Sequence, residues 1–240
     1  MLPAGPLPLS RYDEGVNPGP ARTILGLLAG MCTMITIVAM AILVFLNPVW
    51  VAFEQDRTGA AALTGFDSAT VHTVTNSILH DLVFGPPTFG VTVAGQAVLG
   101  VRERAHMVDV RGVFFMFGAL ALLAVLVLVN VAIFSRARPW FRRAVRAGAA
   151  LLAVLVVVLG VVAAVAFDSV FETFHELFFP AGSFDFEASS KLIQLFPDQF
   201  WFETSLALGG VILALCGIAA FLARSPAGGV LEAAPAGSAA

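Results

Sequence analysis

GVFFMFGALALLAVLVLVNVAIF at 112–134, SRARPWFRRAVR at 135–146 and AGAALLAVLVVVLGVVAAVAF at 147–167 are two uncharged apolar runs joined by an arginine-rich turn. Each run meets the roughly 20 residues that a helix rising 1.5 Å per residue needs to cross a bilayer. Neither alternates as a barrel strand would, and a helix satisfies its own backbone hydrogen bonds in lipid. Two further runs of this kind occupy 24–46 and 205–223. The chain is 59% hydrophobic and 12% charged, with mean hydropathy +0.92, whereas a soluble domain is about a quarter charged. The expected fold is an all-α polytopic membrane protein of four transmembrane helices. The first and third connecting loops would form a small outward-facing cap.

Charge sets the expected orientation. Arg136, Arg138, Arg142, Arg143 and Arg146 crowd one turn without an acid. Residues 168–204 hold seven acids and only Lys191. The positive-inside rule then places the arginine turn and both termini in the cytoplasm, with loops 54–111 and 168–204 outside. The net charge of −3 conceals this division. Eight basic and three acidic residues fall inside, five basic and thirteen acidic outside. Trp140 on one side and Trp50 and Trp201 on the other suit the two interfaces. The run at 24–46 exceeds a signal-peptide core of about 7–15 residues and reads as a retained anchor. Cys32 and Cys216 lie inside apolar runs and read as small packing residues.

Residues 1–23 and 224–240 are Pro-, Gly- and Ala-rich and are expected to be disordered, leaving 24–223 as the membrane domain. Within the first long loop, ATVHTVTNSILHDLVF (69–84) has the period of an amphipathic helix. Its His72, Asn76 and His80 make a polar stripe, read as a solvated face. GPPTFG at 85–90 ends that helix, and VTVAGQAVLGV suggests one short strand or an extended segment. No internal repeat is evident, which argues against an inverted-repeat transporter.

Two histidines stand at membrane edges. His106 precedes the second run, where helical spacing puts Arg102, His106 and Asp109 on one face. Asp109 could orient the imidazole and raise its basicity. Arg102 and Arg111 read either as anion or oxyanion anchors or as a charged collar on the helix. His175 follows the third run in a stripe with Phe171, Phe174 and Phe178, flanked by Glu172 and Glu176. Paired imidazoles at an interface suit acid/base chemistry on a lipid-linked substrate. Three other readings stay open. One is a metal-dependent hydrolase using His80, His106 and His175 with Asp81 or Asp109, although no H-E-x-x-H occurs. Another is a non-catalytic scaffold or sensor. A transporter is disfavoured because the runs hold almost no ionisable groups, with Asn130 the main polar exception.

Two motifs resemble the bacterial lipoprotein intramolecular transacylases and the integral membrane proteins around them. The first is Glu103, His106, Met107, Asp109, Val110 and Arg111 before a Phe-rich span. The second is Phe174, His175, Leu177, Phe178 and Phe179, followed by Leu192, Ile193, Phe196, Pro197 and Phe200. Where compared members tend to carry a tryptophan and an Asp-Pro turn, this chain has Phe184 and Glu187-Ala188. The resemblance implies transfer of the sn-2 acyl chain of a diacylglyceryl lipoprotein to its own N-terminal cysteine amine, giving a lyso-form lipoprotein. It also implies that His106 and His175 are the catalytic pair. Arg102, Glu103, Asp109, Arg111, Glu172 and Glu176 would then be supporting residues, with His106 the base because Asp109 lies beside it. The implied partners are diacylglyceryl-modified lipoproteins and membrane lipid, in the bacterial cytoplasmic membrane. No cofactor, metal or nucleic-acid partner is expected.

Overall fold

The computed structural model describes residues 19–224. The termini expected to be disordered fall mostly outside that range, and 20–23 already belong to the first helix. Four long helices follow the four apolar runs: α1 (Pro20–Phe45), α5 (Val101–Ser135), α6 (Pro139–Phe178) and α8 (Asp198–Leu222). Between them lie α2 (Pro48–Arg57), α3 (Ala60–Thr64), α4 (Ser68–Val83), strands β1 (Thr92–Val93) and β2 (Gln96–Ala97), and α7 (Lys191–Leu195). This is a multi-pass membrane protein, and lipid-facing side chains such as Leu122, Leu126, Val158 and Val161 are exposed along the spans.

Helix α1 is the hub and packs on α5, α6 and α8. Its buried face is built from small residues, among them Ala29, Gly30, Cys32 and Ala41. In lipid, helices associate by close van der Waals packing, and small residues allow that approach. Gly30 of α1 meets Gly148 of α6 so closely that a Cβ at Gly148 would lie 2.9 Å from the Gly30 Cα and collide with its carbonyl oxygen. Deeper in the bundle, Ile37, Ala41, Leu152, Ile212 and Cys216 make a shared apolar core.

At the opposite end from the arginine turn, the short elements form a second core. Val71, Val74, Ile78 and Leu82 of α4 pack with Ala60, Phe89, Leu99, Met107, Leu192 and Leu195. The helix expected at 69–84 is thus present, and its apolar side is the buried one. Asn47 starts α2 by accepting from the Val49 and Trp50 amides, with Pro48 at the first helical position. The buried Gln55 amide donates to the Thr75 hydroxyl and the Leu195 carbonyl, tying α2 to α4 and α7. Segment 91–98 is a two-stranded hairpin rather than the single strand expected, with Ala94 and Gly95 both at positive φ in its turn.

Two helices outrun the bilayer. Helix α5 starts at Val101, eleven residues before its uncharged run, and α6 continues past 167 to Phe178. The expected outer loop 168–204 therefore begins as helix. Helix α6 breaks at Ala166 (φ −142°, ψ 49°), where its apolar run ends. The break separates a spanning part from a C-terminal piece that carries His175.

Candidate active site

The head of α5 and the terminal piece of α6 bring the two histidines together. Their ring centroids are 6.2 Å apart with planes inclined by 25°. Chain separation had left this meeting open. Around them stands a phenylalanine wall. Phe179 lies 4.8 Å from the His106 ring and 5.5 Å from His175. Phe186 lies 5.6 Å from His106, while Phe184 and Phe171 lie 5.3 and 4.2 Å from His175.

The two imidazoles differ in their partners. His175 Nδ1 is 2.7 Å from the Phe171 carbonyl oxygen, one helical turn back. A carbonyl only accepts, so Nδ1 carries the proton, and in the neutral ring the lone pair sits on Nε2. His106 is 6% exposed, and its Nδ1 is buried without a hydrogen-bond partner among the described residues. It lies outside the spanning run 112–134. Burial, helped by the facing His175, holds its pKa below the ordinary histidine value, and Asp109 opposes this more weakly. Asp109 acts on the ring in the expected direction but is outweighed by burial, and the expected orienting contact is corrected. Asp109 is exposed, makes no hydrogen bond to the ring, and does not produce a net gain in basicity. Removing the facing ring by H175A should raise the His106 pKa, by relieving both repulsion and burial. Titration of ring 15N shifts in micelles would show it, and an unchanged or lowered value would contradict this electrostatic picture.

The residues around the pair act mainly as scaffold. Glu103 is buried, and one carboxylate oxygen accepts from the Ser190 hydroxyl and, at 2.9 Å, from the Leu192 amide. Its other oxygen accepts the Gly100 amide, capping α5. Glu103 therefore clamps the start of α7 to the turn of α5 that bears His106. Arg102 Nη2 donates to the carbonyls of Gly182 (2.9 Å) and Asp185 (3.1 Å), and its guanidinium stands 5.7 Å from the Phe186 ring centre. It braces the loop that carries Phe184 and Phe186 against the histidines. Arg111 donates to the Asp81 and Gly85 carbonyls, closing the C-terminus of α4, and stacks 4.8 Å over Phe115. The hydrogen bonds of both arginines run to backbone carbonyls, through Nη2 of Arg102 and Nη1 of Arg111. E103A should leave three donors without their acceptor, at about 1–3 kcal/mol for each that stays buried. Hydrogen exchange at the Leu192 amide should accelerate in E103A and less so in E103Q; equal protection in all three proteins would refute the clamp.

Glu172 and Glu176 are exposed and line a cavity of about 310 Å³ together with Phe179, Phe184 and Asp185. His72 pairs with Asp56 at 3.0 Å, and His80 lies 3.5 Å from Asp81 on the exposed side of α4. Among the described residues no group of three or more His, Cys, Asp or Glu side chains is arranged to hold a metal ion. Sequence reasoning missed Phe186 and Ser190 as parts of the site. The one available signal was the i, i+2 spacing of Phe184 and Phe186, which puts two rings on one side of an extended segment.

The profile of the family described as lipoprotein intramolecular transacylase Lit matches residues 27–201. Among curated proteins, none matches the chain by sequence. The fold is similar to the in meso structure of the membrane-integral Lit of Bacillus cereus, at 18% identity and a TM-score of 0.74, covering 85% of this chain and 95% of that one. Two structures of the same enzyme with a histidine replaced by arginine or alanine each match at 18% identity and a TM-score of 0.70, covering 86% of this chain and 92% or 93% of theirs. The family match takes in both histidines and most of the membrane domain, and the chain belongs to the lipoprotein intramolecular transacylase family, as a membrane acyltransferase.

Proposed function

We propose that His175 and His106 are the catalytic pair that moves the sn-2 acyl chain of a diacylglyceryl lipoprotein to the amine of its own N-terminal cysteine. The observation that carries this reading is the stacked pair itself, with one imidazole anchored through Nδ1 and the other buried and unpartnered. Anchoring leaves the His175 Nε2 lone pair available, so His175 takes the role of base, in place of His106. The cysteine nitrogen attacks the ester carbonyl carbon and passes a proton to Nε2. A tetrahedral oxyanion forms. Neutral His106 supplies an N–H donor to that oxyanion or to the departing oxygen. The C–O bond then breaks, the amide forms, and the glycerol oxygen leaves with the proton that the nitrogen lost. Donor and acceptor belong to one molecule, so no second acyl donor is needed. The phenylalanine wall keeps water from competing for the ester.

The site would face the extracytoplasmic side of a bacterial membrane, since the arginine turn sits at the other end of the bundle. Purified protein incubated in micelles with a synthetic diacylglyceryl-cysteine peptide, a chelator and no added lipid donor should give a product of unchanged mass carrying one N-acyl group. Released fatty acid would make the protein a hydrolase. No reaction without added metal would favour the metal-dependent alternative.

A further inference from the structure

We propose that the arginine end of the bundle is a binding surface for the phosphodiester headgroups of anionic phospholipids. Arg136, Arg138, Arg142, Arg143 and Arg146 fall within eleven residues between two apolar runs, and Arg22 on α1 lies at the same end. The Arg142 guanidinium reaches the Arg224 carbonyl, which adds the end of α8 to this face. No acidic residue occurs between Asp109 and Asp168, and among the described residues none of these arginines is in an ion pair. Arg136, Arg138, Arg143 and Arg146 are exposed.

Depth makes the patch a lipid site rather than a generic charge. The apolar run of α5 ends at Phe134 and that of α6 begins at Ala147. The turn between the helices is tight, with Arg136 and Ala137 both at positive φ. At 1.5 Å per residue, the charged stretch of α6 stands within about 12 Å of the hydrocarbon edge. That is the level of the phosphates. Trp140 beside Phe141 marks the same interface. Guanidinium groups bind phosphodiesters bidentately, and their stems pack along the acyl boundary. Such clusters flanking a span attract anionic lipid, each arginine contributing roughly fivefold in association near the surface.

The test uses the full chain in nanodiscs, in a W50F/W201F background that leaves Trp140 as the single tryptophan. Brominated phosphatidylglycerol should quench Trp140 several-fold more effectively than brominated phosphatidylcholine at equal mole fraction. R138Q/R143Q/R146Q should bring the two lipids within about twofold. High salt should do the same without any substitution at the arginines, so the outcome does not depend on how the triple variant folds. Equal quenching by both lipids, or a preference insensitive to salt and substitution, would overturn the proposal. Inorganic phosphate that abolishes the preference where chloride of equal ionic strength does not would assign the site to a free anion instead, and would overturn it as well.

Discussion

H175A should lower the rate of acyl transfer by about 10²–10⁴-fold, the usual worth of a positioned general base. This substitution should be at least as damaging as H106A, because only His175 has its tautomer fixed by the Phe171 carbonyl. If the pair works as a unit, effects will not add. H106A/H175A should then be no slower than the worse single variant by more than a few-fold. Fully multiplicative losses would mean that the two rings serve separate steps. Thermal unfolding in micelles provides the control, since His175 is only half-buried and its loss should leave the helical bundle intact.

Within the helical bundle, a large effect on stability is expected at Gly148. G148A places a methyl group on the Gly30 backbone, and neither backbone can yield without separating α1 from α6. Overpacking of this kind costs about 1–3 kcal/mol. Because α1 is the hub of all four spans, the loss should lower the unfolding temperature of the whole membrane domain. G160A, on the same helix, meets nothing within 4 Å. There the ordinary preference of a helix for alanine over glycine, up to about 1 kcal/mol, should dominate and give equal or higher stability. Opposite signs for one chemical change on one helix would establish that the Gly30–Gly148 approach holds the bundle. Destabilisation by both would point to a general intolerance of α6.

The four spans were legible because lipid imposes a length and a composition that no other context demands. The two histidines were legible too, as ionisable groups at the ends of runs that otherwise exclude charge. Their meeting was not. His175 sits beyond the break at Ala166, and nothing in VVAAVAF announces a non-helical residue. Arg102 holds two carbonyls of the loop that carries Phe184 and Phe186, across separations of 80 and 83 residues. Local periodicity cannot register so long a reach. Glu103 shows the same limit from the other side. The family motif suggested a supporting role beside His106, but its carboxylate is spent on Gly100, Ser190 and Leu192. Asp109 shares a helix face with His106, yet it stays in solvent while the ring turns toward α6 and the phenylalanines. Shared face did not mean shared hydrogen bond.

The most direct test is mass spectrometry of lipoprotein N-terminal peptides from a host lacking lipoprotein N-acylation and expressing this chain. One acyl group should move from glycerol to the cysteine nitrogen, and the shift should vanish in H106A and in H175A while both proteins still accumulate in the membrane. Diacyl peptides unchanged by well-expressed protein, or a shift that survives both substitutions, would contradict transfer by the histidine pair.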